Sequence, residues 1–413
     1  MAKRSVQLCT IRLLLFWLLA TSALVQSVKA EEFEFMHLWL TDSERQAMSI
    51  LQHAIEGEGL VWREHPVEKN FSGIRAKFSE RFALGRPPTA SFWVGGKDLG
   101  KFVDTGIFRA ISDSPSRPRL ADVLVPEVLQ LIEHGKGYSA LPLGIHLQNI
   151  IVFNRSIFEG LQLKVPESWQ QFLDVAPAIL KAGYTPLSMS DQLWQLRFLF
   201  TSILAEQLDA DELSHLFEHA DRTSDPVKQK LQRSLEVFDQ LRPFVNADNH
   251  DLSWEKAAQA VANGGAAAIV MGDFLAPLFS DDEKFQCGLT PGSKFVLWSV
   301  DVAVFPETNS ASQQAAQELA IRAWSRPDVL DRYVAKKGGV SVVVNSNATY
   351  LSRCSQQSAR AWASGAPRIP LVTTLWSNQL NRLSSVVGGY WADRSSKSIS
   401  DVVELMLIAL TSH

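Results

Sequence analysis

The 413-residue chain has only three cysteines, and one of them, Cys9, falls in the N-terminal stretch. Cys287 and Cys354 remain, with no histidine beside either, which makes a zinc site improbable. An oxidising compartment permits a disulfide between them, but their Cα separation is set by the fold. Two small buried thiols are the default alternative. Also missing is an apolar run of the roughly 20 residues that a membrane-spanning helix needs. There is no Gly-x-Ser-x-Gly elbow, no His-Glu-x-x-His and no phosphate loop. Those absences leave only a paired-carboxylate chemistry such as glycoside hydrolysis to weigh, with Glu44 and Asp273 as the pair. Nothing in their spacing requires it, so the expectation is no enzyme, no metal and no cofactor. No internal repeat or low-complexity tract occurs either.

Acid is absent from residues 1–30, which carry Lys3, Arg4, Arg12 and Lys29. The apolar run at residues 13–19 (LLLFWLL) follows the basic residues, and Val28-Lys29-Ala30 fits the small-x-small pattern of a cleavage site. This reads as a signal peptide at 1–30, cleaved after Ala30, with an uncleaved anchor as the alternative. Cys9 precedes the apolar run and so is not placed for lipidation. Removing the leader takes the formal charge from −4 to −8 (−4 minus 4). An acidic chain has no electrostatic reason to seek nucleic acid or anionic lipid. The expected location is the periplasm, and the remaining length of about 380 residues implies two lobes.

From residue 32 the pattern is period-two: Phe33, Phe35, His37 and Trp39 share one face, predicting a strand. Thr41-Asp42-Ser43-Glu44 then has the spacing of a capping box, and Ala47, Ile50, Leu51, Ala54 and Ile55 follow at helical intervals. A further helix is predicted at 73–84, a buried strand at 90–94, a helix at 123–133, and a strand at 150–153. Residues 166–169 open a helix, helices dominate to residue 245, and another runs from 254 to 263. Gly264-Gly265 ends that one, and 266–271 is a buried strand. Strand–helix–strand alternation predicts α/β lobes with largely parallel sheets.

Several stretches, in order, resemble the bacterial extracellular solute-binding proteins of sugar ABC importers, with the glucose/mannose-binding branch nearest. They are 37–44 (HLWLTDSE), Gly85-Arg86-Pro87-Pro88, and Leu141-Pro142-Leu143-Gly144-Ile145-His146 with Asn149. Asn154 to Phe158 with Pro166 and Trp169, Trp254-Glu255-Lys256-Ala257-Ala258, Met271-Gly272-Asp273-Phe274, Asp301, and Lys337-Gly338-Gly339-Val340 complete the set. The resemblance implies an α/β fold of two lobes joined by three crossings, near Gly144, Asp301 and Lys337, with a ligand cleft between them. Lobe one would be 31–144 with 302–336, and lobe two 145–301 with 337–413. It also implies a monomer that captures a sugar and hands it to an inner-membrane permease. A ligand sensor that signals to a membrane kinase or chemoreceptor is the alternative output of the same fold.

A pyranose offers a flat C–H face and a rim of hydroxyls, each of which needs a partner once it is stripped of water. Trp39 and Phe274 are the candidate plates, and Glu44, His146, Asn149, Asp273, Asp301 and Lys337 the candidate polar groups. Each has a plainer role open to it: core packing for Trp39, the capping box for Glu44, a backbone cap for Asn149, a turn for Asp273. On the sugar reading, Trp39→Ala would remove affinity and leave the melting temperature of the free protein nearly unchanged. The sequence departs from the branch at Phe92-Trp93-Val94, which stands where glutamine and lysine are common; Lys97 compensates only if its loop bends back. Phe274 in place of tryptophan, and one aromatic instead of two at the first strand, point to a different or modified sugar.

Overall fold

A computed structural model describes residues 31–67, 71–279 and 283–411. The expected leader lies outside the described residues. The alternation read at the N-terminus forms the strand Glu32–His37, with Phe33, Phe35 and His37 fully buried. It pairs in parallel with Val61–Pro66 on one side and Ala90–Val94 on the other. Ala90–Val94 continues antiparallel onto the long strand Val296–Val304, which in turn pairs antiparallel with Leu141–Leu147. Every residue of those last two strands is buried, as expected for strands covered on both faces.

The second sheet has the order Phe285–Leu289, Ile150–Asn154, Ala266–Met271, Thr185–Leu187. Two large apolar clusters accompany the sheets. One is built on Phe33, Phe35, Trp39, Phe92 and Trp324, the other on Trp169, Phe172, Phe200, Phe238 and Trp391. This is the expected two-lobe α/β architecture, but the sheets are mixed and not largely parallel, because Val296–Val304 runs antiparallel to both Ala90–Val94 and Leu141–Leu147, and Ile150–Asn154 runs antiparallel to both its neighbours. One predicted helix divides in two. Residues 123–133 form the end of Leu120–Val123, a break, and then Pro126–Ile132, because Pro126 cannot supply an N–H to a preceding turn.

Three stretches carry the chain between the sheets. Leu141–Leu147 passes into Ile150–Asn154, and Phe285–Leu289 returns through residues 290–295 to Val296–Val304. The third follows the helix Pro327–Lys337, where Val340 and Ile145 exchange both backbone hydrogen bonds, at 2.8 and 2.9 Å. Such close passage depends on two glycines. Gly338 ends the helix in a left-handed conformation, and a Cβ there would lie 2.6 Å from Pro277 Cδ and 2.9 Å from the Asp273 carbonyl oxygen. A Cβ on Gly339 would lie 2.6 Å from the Ile145 carbonyl oxygen.

Cys287 and Cys354 form a disulfide, with Cα atoms 5.2 Å apart. It joins the edge strand of the second sheet to the helix Arg353–Ala363, the first helix after the third crossing. Of the two readings left open by the sequence, the paired one holds.

Candidate functional site at the lobe crossings

The capping box forms as its spacing predicts. The Thr41 hydroxyl accepts the Glu44 N–H, and Glu44 Oε2 accepts the N–H groups of Thr41 and Leu40 at 3.2 and 3.1 Å. The other carboxylate oxygen, Oε1, takes Lys337 Nζ at 3.0 Å, both side chains being buried. One glutamate thus caps the first helix and pairs with the lysine at the third crossing, so the two roles weighed for it coexist. Burial alone would raise the Glu44 carboxyl; the Lys337 ammonium, with its hydrogen bond and those from Thr41, overrides that and lowers it.

A second buried group sits where the first and second crossings run side by side, with Gly144 opposite Asp301 and a register shift just after Asp301. His146 Nδ1 lies 2.9 Å from Asp273 Oδ1, and Nε2 lies 3.1 Å from Asp301 Oδ2. The second approach is an ion-pair contact off the axis of a hydrogen bond, since Nε2 has no well-aligned acceptor. Asp273 Oδ2 accepts the Leu147 N–H at 3.0 Å. Burial opposes charge on His146, but Asp301 and Asp273 prevail and raise its pKa to about 9, leaving an imidazolium at neutral pH. Asp273 is raised by its complete burial, with His146 pulling the other way. His37 also meets a carboxylate, Glu64 Oε1 at 3.3 Å from its Nε2, but that partner is partly exposed, and His37 is lowered to about 4, chiefly by burial, and is neutral.

Aromatic rings frame these charges. Phe274 is half-buried and packs against Trp254, Trp194 and His146 at 5.2, 6.2 and 5.9 Å between centroids. Lys337 Nζ lies 5.2 Å from the Phe274 ring and 5.8 Å from that of Trp39. Trp39 itself is only 2 % exposed and is wedged among Phe35, Phe92 and Tyr333. The strand pattern that put it beside Phe33 and Phe35 put it in the core. That reverses the expectation of an unchanged melting temperature on Trp39→Ala.

Of the eight residues singled out, the fold brings Glu44, Lys337, His146, Asp273, Asp301 and Phe274 together, with Trp39 behind the lysine. Asn149 stands apart. Its amide donates to the Phe295 carbonyl at 3.0 Å and accepts the Leu297 N–H at 2.9 Å, locking the first crossing to the second. Both ends of that side chain serve the backbone. Among the described residues no three His, Cys, Asp or Glu side chains converge to hold a metal ion.

A second region carries no sequence motif. A cavity of about 590 Å³ lies between the two lobes, lined by Ser72, Arg75, Asp98 and Lys101 on one side and Trp376, Ser377, Asn378 and Asn381 on the other. Asp98 holds Arg75 at 3.5 Å and accepts the Ser377 hydroxyl and its N–H. Lys101 Nζ sits 3.6 Å from the centre of the Trp376 ring. Lys97 is exposed; the next turn of its helix, through Asp98 and Lys101, supplies the polar groups instead. Phe92 and Trp93 are both core residues. Trp254 stands in one of the motifs but is not among the candidate site residues, and Trp194 and the cavity residues had no signal in the sequence, because they come from four separate segments that meet only in the fold.

Two α/β lobes, three adjacent crossings and an interlobe cavity lined by Arg75, Asp98, Lys101 and Trp376 are the architecture of a two-lobe binding protein. The family model for bacterial extracellular solute-binding proteins matches residues 67–320, and the chain belongs to that family. It is 24 % identical over 304 residues to a probable sugar-binding periplasmic protein of Mesorhizobium japonicum, covering 73 % of this chain and 70 % of that one. Its fold is similar to that of a chitin oligosaccharide binding protein (TM-score 0.76, 17 % identity, 91 % of this chain and 98 % of the other). It is also similar to a solute-binding protein solved in complex with raffinose (TM-score 0.72, 15 % identity, 92 % and 100 %).

Proposed function

We propose that this chain is the periplasmic substrate-binding component of a sugar ABC importer, and that it captures one sugar ligand between lobe one (31–144 with 302–336) and lobe two (145–301 with 337–413). The observation that carries the reading is the meeting of the half-buried Phe274–Trp254–Trp194 group with Lys337, Glu44, His146 and Asp301 at the crossings. A flat apolar plate beside fixed charged hydrogen-bonding groups suits a sugar ring, because the C–H face needs an apolar partner and the hydroxyls need donors or acceptors. Trp39, Asp273 and Asn149 support the site from behind. The sugar-binding names of the relatives point the same way.

The role is binding and release without chemistry on the ligand. Glu44 is held ionised by Lys337 and backbone N–H groups, and both oxygens of Asp273 are taken by His146 and the Leu147 N–H. Ligand bridging the lobes raises the population of the closed form, and a membrane permease reads that form. The Cys287–Cys354 disulfide accords with an oxidising periplasm and with the leader expected at 1–30. The test is a thermal-shift screen of residues 31–413 against mono- and disaccharides, with amino acids and polyols as controls. Ligand at 100 times its Kd adds about 2.7 kcal/mol, a readily measured rise in Tm. A rise confined to one sugar class supports the reading, and a response to amino acids alone overturns it.

A further inference from the structure

In the second lobe one buried cation has no counter-charge. Arg197, in the helix Leu193–Gln207, is only 5 % exposed, and its Nε and Nη1 form no hydrogen bond with any described residue. No carboxylate among the described residues pairs with it, and burial alone acts on its guanidinium, leaving it charged at neutral pH with a pKa of about 10. The other buried arginine, Arg117, is different: it donates to the Ser112 carbonyl and stands in the field of Glu318 and Asp113. Arginine is not discharged in proteins, so a buried guanidinium is tolerated where an anion completes it.

The helix of Arg197 packs both on the helix Ser377–Ala392 and on the aromatic group at the crossings. Leu193, one turn earlier on the same face, meets Gly388 of the helix Ser377–Ala392 so closely that a Cβ there would lie 2.2 Å from Leu193 Cδ2. On the adjoining face Trp194 stacks edge-on with Phe198 at 5.3 Å and packs on Phe274. Arg197 lies in the angle between these two rows, its Cζ 5.1 Å from the centre of the Phe198 ring. One row leads to the Phe274 plate. The other leads along the helix whose first turns, through Ser377, Asn378 and Asn381, wall the interlobe cavity.

We propose that Arg197 receives an anionic group of the ligand, so that the captured solute is an acidic sugar, such as a uronic or aldonic acid, and not a neutral one. This rests on the reading of the cleft as a sugar site. A guanidinium grips a carboxylate through two parallel hydrogen bonds, and a phosphate oxygen pair meets the same geometry. The ring of Phe198 buries one face of the cation and leaves nitrogens unspent.

The test is calorimetric titration of residues 31–413, unmodified and as Arg197→Gln and Arg197→Lys, with glucuronate, galacturonate, gluconate, glucose 6-phosphate, glucose and galactose, and with glutamate and succinate as non-sugar acids. Acidic sugars are expected to bind at least about 100-fold more tightly than their neutral counterparts, the weight of one charged hydrogen-bonded pair. Arg197→Gln is expected to erase that margin while the Tm of the free protein holds or rises, because an uncompensated buried charge is gone. Arg197→Lys is expected to recover part of the affinity. Preference for glucose 6-phosphate over the uronates identifies the anion as phosphate. Equal binding of acidic and neutral sugars, acid affinity unchanged in Arg197→Gln, or no acid bound at all overturns the assignment. Neutral sugars bound alone would overturn it and leave the sugar reading standing. Succinate or glutamate bound through Arg197, with no sugar bound, would keep the anion and overturn the sugar.

Discussion

The crossings and the interlobe cavity handle charge differently. At the crossings, Glu44, Lys337, His146, Asp273 and Asp301 are buried and each faces an opposite charge. At the cavity, Arg75, Asp98 and Lys101 are partly or fully exposed, and Asp98 and Lys101 reach across it to Ser377 and Trp376. Buried pairs are costly to break because the remaining ion is stranded in low dielectric. Exposed pairs are held weakly and screened by salt. The crossings therefore act as a fixed frame, and the cavity side as a contact that lobes can make and release.

Breaking the frame is expected to produce the largest effects. Trp39→Ala removes a core indole and is expected to cost about 3–5 kcal/mol in denaturant unfolding, whatever it does to affinity. Lys337→Met strands the Glu44 carboxylate and is expected to cost a similar 3–5 kcal/mol, much of it recovered in the double variant with Glu44→Gln. A double variant no more stable than Lys337→Met alone would show that the pair is not what holds this corner.

Reducing the Cys287–Cys354 bond opens a link spanning 67 positions. The loss expected from chain entropy is about 4 kcal/mol, read as a lower Tm in dithiothreitol and absent in a Cys287→Ala/Cys354→Ala variant.

The pH dependence separates the two buried histidines. His146 has its pKa raised in the folded state to about 9, so its contribution is full below the unfolded value near 6.5 and is lost as pH rises through 9. The loss is expected to reach about 3 kcal/mol, and His146→Gln should flatten that alkaline limb. His37 runs the other way: with its pKa lowered to about 4, its contribution is present above the unfolded value and is lost as pH falls through 4. The smallest effect is expected at the cavity, where Lys101→Ala should change stability by less than about 1 kcal/mol. If that contact bridges the lobes in closing, Lys101→Ala should instead alter the salt dependence of ligand affinity.

The sequence carried most of the frame. Buried apolar runs placed the strands at 90–94 and 266–271 where they stand, and period-two spacing placed the first strand, which ends at His37, two residues before its alternation does. The ordered motifs brought six of the eight chosen side chains to one place. Trp39 was misjudged by isolating it from its own alternation, which already faced it inward with Phe33 and Phe35. Asn149 was indistinguishable from a ligand in sequence, since a clamp between the segments 149 and 295–297 is visible only once they are neighbours. The disulfide depended likewise on a Cα separation, and the cavity on three segments with no shared pattern. Arg197 sits in an apolar helical run where its burial, and its lack of a partner, exist only in three dimensions.

The most direct test of the cleft is a calorimetric titration of residues 31–413 with the best sugar from the thermal screen, repeated on Phe274→Ala. The plate at the crossings requires one site per chain and an affinity lowered at least about 10-fold by the loss of the ring, with the Tm of the free protein nearly kept because Phe274 is only half-buried. Unchanged affinity in Phe274→Ala would place the ligand elsewhere and contradict the site.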